Sequence, residues 1–132
     1  MDVIQLKRKV WCYRESGEDV IAAWLREIEA TAAEMGQLSA LIDLYECAGE
    51  RSIGQYIMDI GDGLYSLKCL QKGGHDLAPI FCKGPSSDLE ITFLAGALQR
   101  QKTLRPYSAK GEAMENLEKL KADLAKRKLW TI

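Results

Sequence analysis

The chain reads as an α+β domain of the order β-α-α-β-β-β-β-α, on three observations. Two segments near the N-terminus repeat apolar residues at helical spacing. Three short apolar runs between positions 64 and 96 are separated by Gly-rich turns. A last segment, from about position 109, returns to the helical period. Helices flanking a run of short strands imply a mostly antiparallel sheet with the helices packed on one of its faces. The 132 residues suffice for one domain, spanning 1–132, and an apolar content of 47% is ordinary for a packed core.

The elements follow in order. Residues 7–14 hold Val10, Trp11, Cys12 and Tyr13, a strand-like mixture. Ser16, Gly17, Glu18 and Asp19 then signal a helix start, with acids where the helix dipole favours them. Val20, Ile21, Trp24, Leu25 and Ile28 form the apolar stripe of that helix. A second helix is expected over 32–47, with Met35, Leu38, Leu41, Ile42 and Tyr45 on its face and Gly49 as its stop. Gly36 weakens its first turn. Residues 53–60 read as a strand with Gly54 a candidate bulge. The turn Gly61-Asp62-Gly63 feeds a strand ending at Lys68, and strands over 77–84 and 89–96 complete a meander. Pro106 and Ser108 close a connector. Met114, Leu117, Leu120 and Leu124 then mark the buried stripe of the last helix.

The formal net charge is only −1, so bulk charge singles out no partner. Its distribution is uneven. From Gln99 onward nine Lys/Arg face four acids, a surplus of five, which leaves −6 on the rest. This asymmetry fits an anionic partner for the C-terminal part, or equally a solvated helix laced with ion pairs. Cys12, Cys47, Cys69 and Cys82 lack the close spacing of zinc or redox motifs, so a reduced, cytoplasmic protein is expected. The single His75 excludes paired-histidine catalysis, and no metal-ligand set or cofactor motif stands out. No run approaches the roughly 18 apolar residues of a membrane span. Trp130 and Ile132 give the chain an apolar end, expected to dock on the body of the protein.

The cations repay inspection by position. Lys68 and Lys83 lie at or near strand ends; Arg100, Lys102 and Arg105 follow the last strand, with Tyr107 beside them. Alternate strand ends of a meander meet at one edge, so these groups are able to converge. Converged, they would grip phosphates, stack a base and stabilise the charge that develops when an RNA 2′-hydroxyl attacks its own phosphodiester. Dispersed, they are solubilising surface charges.

The motifs also carry a resemblance. Gly61-Asp62-Gly63-Leu64-Tyr65-Ser66-Leu67-Lys68 resembles the G-D-G-L-[YW]-E-L-[RK] segment of the phage-derived branch of the RelE/HigB-like toxins. Leu77 to Pro85 is similar to that family's R-P-[IL]-x-C-[KR]-G-P strand, and Ile91-Thr92-Phe93-Leu94-Ala95-Gly96-Ala97 to its [IF]-T-[FL]-L-[AV]-G-A strand. Pro106 and the helix after it fit the family's close, and the likeness runs from about Val10 to Lys128. The resemblance implies a RelE-like fold and the toxin of a type II toxin–antitoxin pair: a metal-independent, ribosome-dependent endoribonuclease cutting messenger RNA. It implies a cognate antitoxin, expected to be a helix-turn-helix protein, no cofactor and no membrane. Carried over, the catalytic positions are Lys68, Ala78, Arg100 and Lys102, with Lys83, Arg105 and Tyr107 as RNA contacts.

Two departures matter. Ser66 replaces a common Glu, a change expected to be tolerated on a strand surface. Ala78 stands where the motif has an Arg expected to hold the scissile phosphate, and a methyl group cannot replace that contact. Losing one such transition-state contact costs about 10²–10³ in rate. The chain is therefore expected to be a weak or inactive enzyme, or a toxin disarmed at Ala78. The alternatives are a non-catalytic, prophage-derived module of the same fold that binds RNA or protein, and a structural protein without a ligand.

Overall fold

Asp19 opens the first helix by accepting the amide protons of Ile21 and Ala22 at 3.0 and 2.9 Å, as its place before an apolar stripe predicts. In this computed structural model, which describes residues 8–69, 76–101 and 103–131, the strand before it is β1 (Lys9–Tyr13). His75, Lys102 and Ile132 lie outside the described residues. Helix α1 (Val20–Glu27) buries Ile21, Trp24 and Leu25. Helix α2 (Ala32–Ala48) starts on a capping box in which Thr31 and Glu34 bond each other's backbone, and it buries Leu38, Ile42 and Tyr45. Gly49, at φ 86°, ends it.

The chain then departs from expectation. Residues 53–56, the first half of the strand expected over 53–60, are not strand. They belong to the short helix α3 (Glu50–Ile53) and one 3-10 turn, and β2 (Ile57–Gly61) begins only afterwards. The positive φ at Gly49 restarts a helical turn, and fully buried Ile53 anchors it. Gly54 is therefore no bulge; the register irregularity of β2 falls between Asp59 and Gly61.

Asp62 and Gly63 both take positive φ, 58° and 75°, the condition for a tight turn that matches strand twist. Strand β3 (Leu64–Leu67) follows, then β4 (Asp76–Leu77), β5 (Ile80–Lys83) and β6 (Glu90–Ala95). The single strand expected over 77–84 is split at Ala78-Pro79, because Pro79 has no N–H for a ladder. The expected connector contains a hairpin, β7 (Leu98–Arg100) and β8 (Thr103–Arg105). After α4 (Ala109–Ala122) comes a further strand, β9 (Arg127–Leu129).

The main sheet has six strands in the order β2-β3-β5-β6-β1-β9, and β4-β7-β8 form a second sheet. All pairings are antiparallel except β1 with β6. The helices do not share one face. Phe81 and Phe93 point to the core under α1 and α2, with Val10, Cys12, Leu38 and Ile42. Leu64, Ile80, Cys82 and Leu94 point to a second core under α4, with Ala109, Ala113 and Leu120. Covered on both sides, β6 is buried along its whole length, which explains its continuous apolar run.

The contact face of α4 also differs from the expected stripe. Ala109, Ala113, Asn116 and Leu120 are buried and Leu117 is half-buried, whereas Met114 and Leu124 are exposed. Small alanines let the helix approach the sheet, and Leu124 lies beyond its end. Asn116 donates to the carbonyl of Leu94 at 2.8 Å. Leu94 has no register partner on β5, because the pairing shifts between Ile80 and Phe81. At the C-terminal end the amide of Trp130 donates to the carbonyl of Val10 at 2.9 Å, and its ring packs near Phe93, so this end docks on the body as expected.

Candidate functional site

Two of the predicted positions meet. The amide of Leu67 donates to Pro79 O at 3.0 Å and that of Cys69 to Leu77 O at 2.7 Å, which sets Lys68 opposite Ala78. On the other side of position 78, its own amide donates to Ala97 O at 2.8 Å. Ala78 is fully enclosed, at 0% exposure. Lys68 is not a free cation: its ammonium lies 3.5 Å from the Asp76 carboxylate.

The hairpin cations face elsewhere. Leu98 pairs with Arg105, Gln99 with Leu104, and Arg100 with Thr103. Paired residues, and residues two apart on a strand, share a face, so Arg100 and Arg105 lie together on the Leu98 side. Asp76, the partner of Lys68, pairs with Gln99 and takes the opposite side. Lys68 and Arg100 therefore do not share one concave wall. Lys83 is further off, five residues along the strand direction from Ala78, about 16 Å at roughly 3.3 Å per residue. Its ammonium is bonded to Glu50 at 2.6 Å and rests 4.7 Å over the Tyr65 ring. The Glu50 contact holds the Lys83 ammonium above its ordinary pKa.

The small sheet carries Arg100 and Arg105 on one face, both exposed, and the Arg105 guanidinium stacks 5.2 Å from the ring of Tyr107. That ring is 75% exposed, unusual for an aromatic side chain, and it stands open beside the Arg105 guanidinium.

Two buried polar side chains near these positions, Ser66 and Gln99, keep an oxygen without a partner among the described residues. Ser66, expected on a strand surface, is fully buried, and its hydroxyl has no partner among the described residues. Gln99 is buried as well: its amide donates to Gln101 O at 2.8 Å, while its Oε1 has no partner among the described residues. Alternation alone does not reveal Ser66, because both faces of the main sheet are covered, and Gln99 lies on a strand of three residues, too short for alternation to show. Among the cysteines, burial pushes the Cys69 thiol up to about 12 and Cys82 to about 11, and raises Cys12 too, so none of these three is an activated nucleophile. Among the described residues no three His, Cys, Asp or Glu side chains gather into a metal-ligand set, and no helix is long and apolar enough to cross a membrane.

Enclosure of Ala78 has a measurable consequence. Ala78→Arg should lower the unfolding free energy by about 3 kcal/mol or more, since it overfills a closed position and brings a charge out of water. Urea denaturation checks this. A loss under about 0.5 kcal/mol would mean the guanidinium reaches solvent beside Lys68.

No protein-family model matches this chain, and no curated protein matches it either.

Proposed function

We propose that this chain is the toxin half of a type II toxin–antitoxin pair with a RelE-like fold, and that it engages messenger RNA on the cytoplasmic ribosome. The motif resemblance from Gly61 to Ala97 motivates the reading, and the α+β architecture is compatible with it. The observation that carries it is the exposed trio of Arg100, Arg105 and Tyr107 on the hairpin side of the molecule. Single-stranded RNA is held by guanidinium groups on its phosphates and by aromatic faces under its bases.

Cleavage makes a stricter demand than binding. A metal-free route needs several cations around one phosphodiester, and each lost donor costs about 10²–10³ in rate. Here Lys68 is committed to Asp76, Ala78 supplies no charge, and Arg100 lies on the other side of the hairpin. Binding is therefore retained and cutting is weak or absent. The same dispersion favours, as a second reading, a prophage-derived module of this fold that binds RNA or protein without catalysis.

Adding the purified protein to ribosomes translating a defined message separates these readings. Slow cuts within the translated message, mapped by primer extension and suppressed by a co-expressed helix-turn-helix partner, support the toxin. Ribosome or RNA binding without cuts supports the module. Neither binding nor cutting at protein concentrations of about 10 μM, well above a typical specific RNA affinity, would refute the toxin and the RNA-binding module alike and leave the protein-binding one.

A further inference from the structure

A second site lies at the other end of the main sheet, where the only residue the resemblance marked as an RNA contact, Lys83, is bonded to Glu50. A cavity of about 250 Å³ opens between the end of α2 and the strand ends of β5 and β6. Its charged rim is built from three cations, Arg8, Arg51 and Lys83, and three acids, Glu50, Asp88 and Glu90. These charges are not equally available. Glu50 is bonded to Lys83, and Glu90 is bonded to Arg127, which stands outside the rim. Arg8 and Arg51 have no ion pair and no side-chain hydrogen bond among the described residues, and only Asp88 remains to oppose them. The uncommitted charge of the cavity is therefore positive.

The chain is shaped to hold Arg8 there. A Cβ at Gly49 would fall 2.7 to 2.9 Å from the Arg8 guanidinium atoms, so the guanidinium lies directly on a bare α-carbon. Gly49 also holds φ 86°, which bars most side chains from that position on conformational grounds. Burial pushes the Tyr45 hydroxyl up to about 12, and the nearby Arg8 charge acts against that rise. Ile53, Ile57 and Phe81 supply an apolar wall. An uncommitted, half-buried guanidinium carries a desolvation cost that an oxyanion relieves, and its planar fork matches a carboxylate or a phosphate.

We propose that this cavity is a binding site for a small organic oxyanion, a carboxylate or phosphate monoester with a compact apolar body. Arg8 and Arg51 take the oxyanion, and the Ile53–Phe81 wall takes the body. The site is independent of the hairpin and of RNA.

The test is an amide-resolved NMR titration of the intact protein with three probes: benzoate, phenyl phosphate and inorganic phosphate. The expected result is saturable shifts confined to Gly49, Arg51 and Asp88 to Glu90. Inorganic phosphate, which lacks the apolar body, should bind at least fivefold more weakly than the better aromatic probe. Tighter binding of phenyl phosphate identifies a phosphate ligand, and tighter binding of benzoate a carboxylate. Arg8→Gln should weaken the better probe at least tenfold. If that variant does not fold, exposed Arg51→Gln carries the test with a loss of at least threefold. Shifts that do not saturate or that scatter over surface cations would overturn the proposal. So would affinity unchanged by whichever of these variants fold.

Discussion

Gly96→Ala is expected to destabilise the protein by about 3 kcal/mol or more, enough to leave much of it unfolded. The added methyl carbon would lie 1.9 Å from Cγ and 2.1 Å from Cδ2 of Trp24. Those are atoms at the root of the indole, not the tip of a flexible chain. Trp24 is itself buried beside Ile21 and Leu25 in the core under α1, so making room means moving the whole indole out of its packing. The cost is steric, because Gly96 does not hold a positive φ. Gly36→Ala is the matched control. It sits inside α2 with open space around its α-carbon, so it should gain about 0.5–1 kcal/mol by reducing the freedom of the unfolded chain. Urea denaturation of both variants decides the point. Two variants within 1 kcal/mol of each other would show that the α1–sheet contact is loose. Gly96 also links β6 to β7, so α1 packing sets where the hairpin leaves the main sheet.

Arg127→Met is expected to cost about 3–5 kcal/mol, the range for removing one partner of a buried ion pair. The Arg127 and Glu90 side chains are only 11% and 7% exposed. The guanidinium also lies 4.1 Å from the Trp11 ring and donates to Ser86 Oγ at 3.0 Å. One side chain thus clips the last strand, β9, to β1, β6 and the turn before β6. Leaving Glu90 charged and unpaired is the main cost. Arg127→Met combined with Glu90→Gln should therefore recover much of the loss, since replacing both members of a buried pair is far cheaper than orphaning one. Denaturation of the single and double variants gives the coupling. A single-variant loss below 1 kcal/mol would mean water reaches the pair.

Much of the N-terminal half was legible because its signals are local. Asp19 caps the helix it starts within one turn, Gly49 stops the second helix where its stripe ends, and the Asp62-Gly63 turn is set by two adjacent residues. The parts that were not legible depend on distant partners. Residues 53–60 hold enough apolar side chains for one strand, but the helical turn that starts at Gly49 runs on through Ile53 and a 3-10 turn to Tyr56 before β2 begins. The hairpin β7–β8 and the strand β9 are three residues each, too short for a period to show, and pairing partners far along the chain define them. The stripe of α4 was misplaced because alanines, which look neutral in a sequence, form its contact surface.

The site follows the same division. Lys68 and position 78 lie opposite each other because their register is continuous with the β3–β5 ladder. That register does not bring the other cations to them. Which face a strand residue takes depends on every bulge and break before it, and the chain breaks at Pro79 and shifts register at Ile80. The acids that neutralise Lys68 and Lys83 come from other elements, Asp76 on β4 and Glu50 on α3, so their commitment is invisible to a local reading.

Titration of fluorescein-labelled single-stranded RNA, followed by anisotropy at fixed low salt, bears most directly on the hairpin as the RNA contact. Wild type should bind, the double variant Arg100→Ala/Arg105→Ala should lose at least tenfold in affinity with a shallower salt dependence, and Tyr107→Ala should lose about 1–3 kcal/mol from the stacked base. Wild-type affinity in all of these variants, or no binding by the wild type, would contradict RNA recognition at this surface.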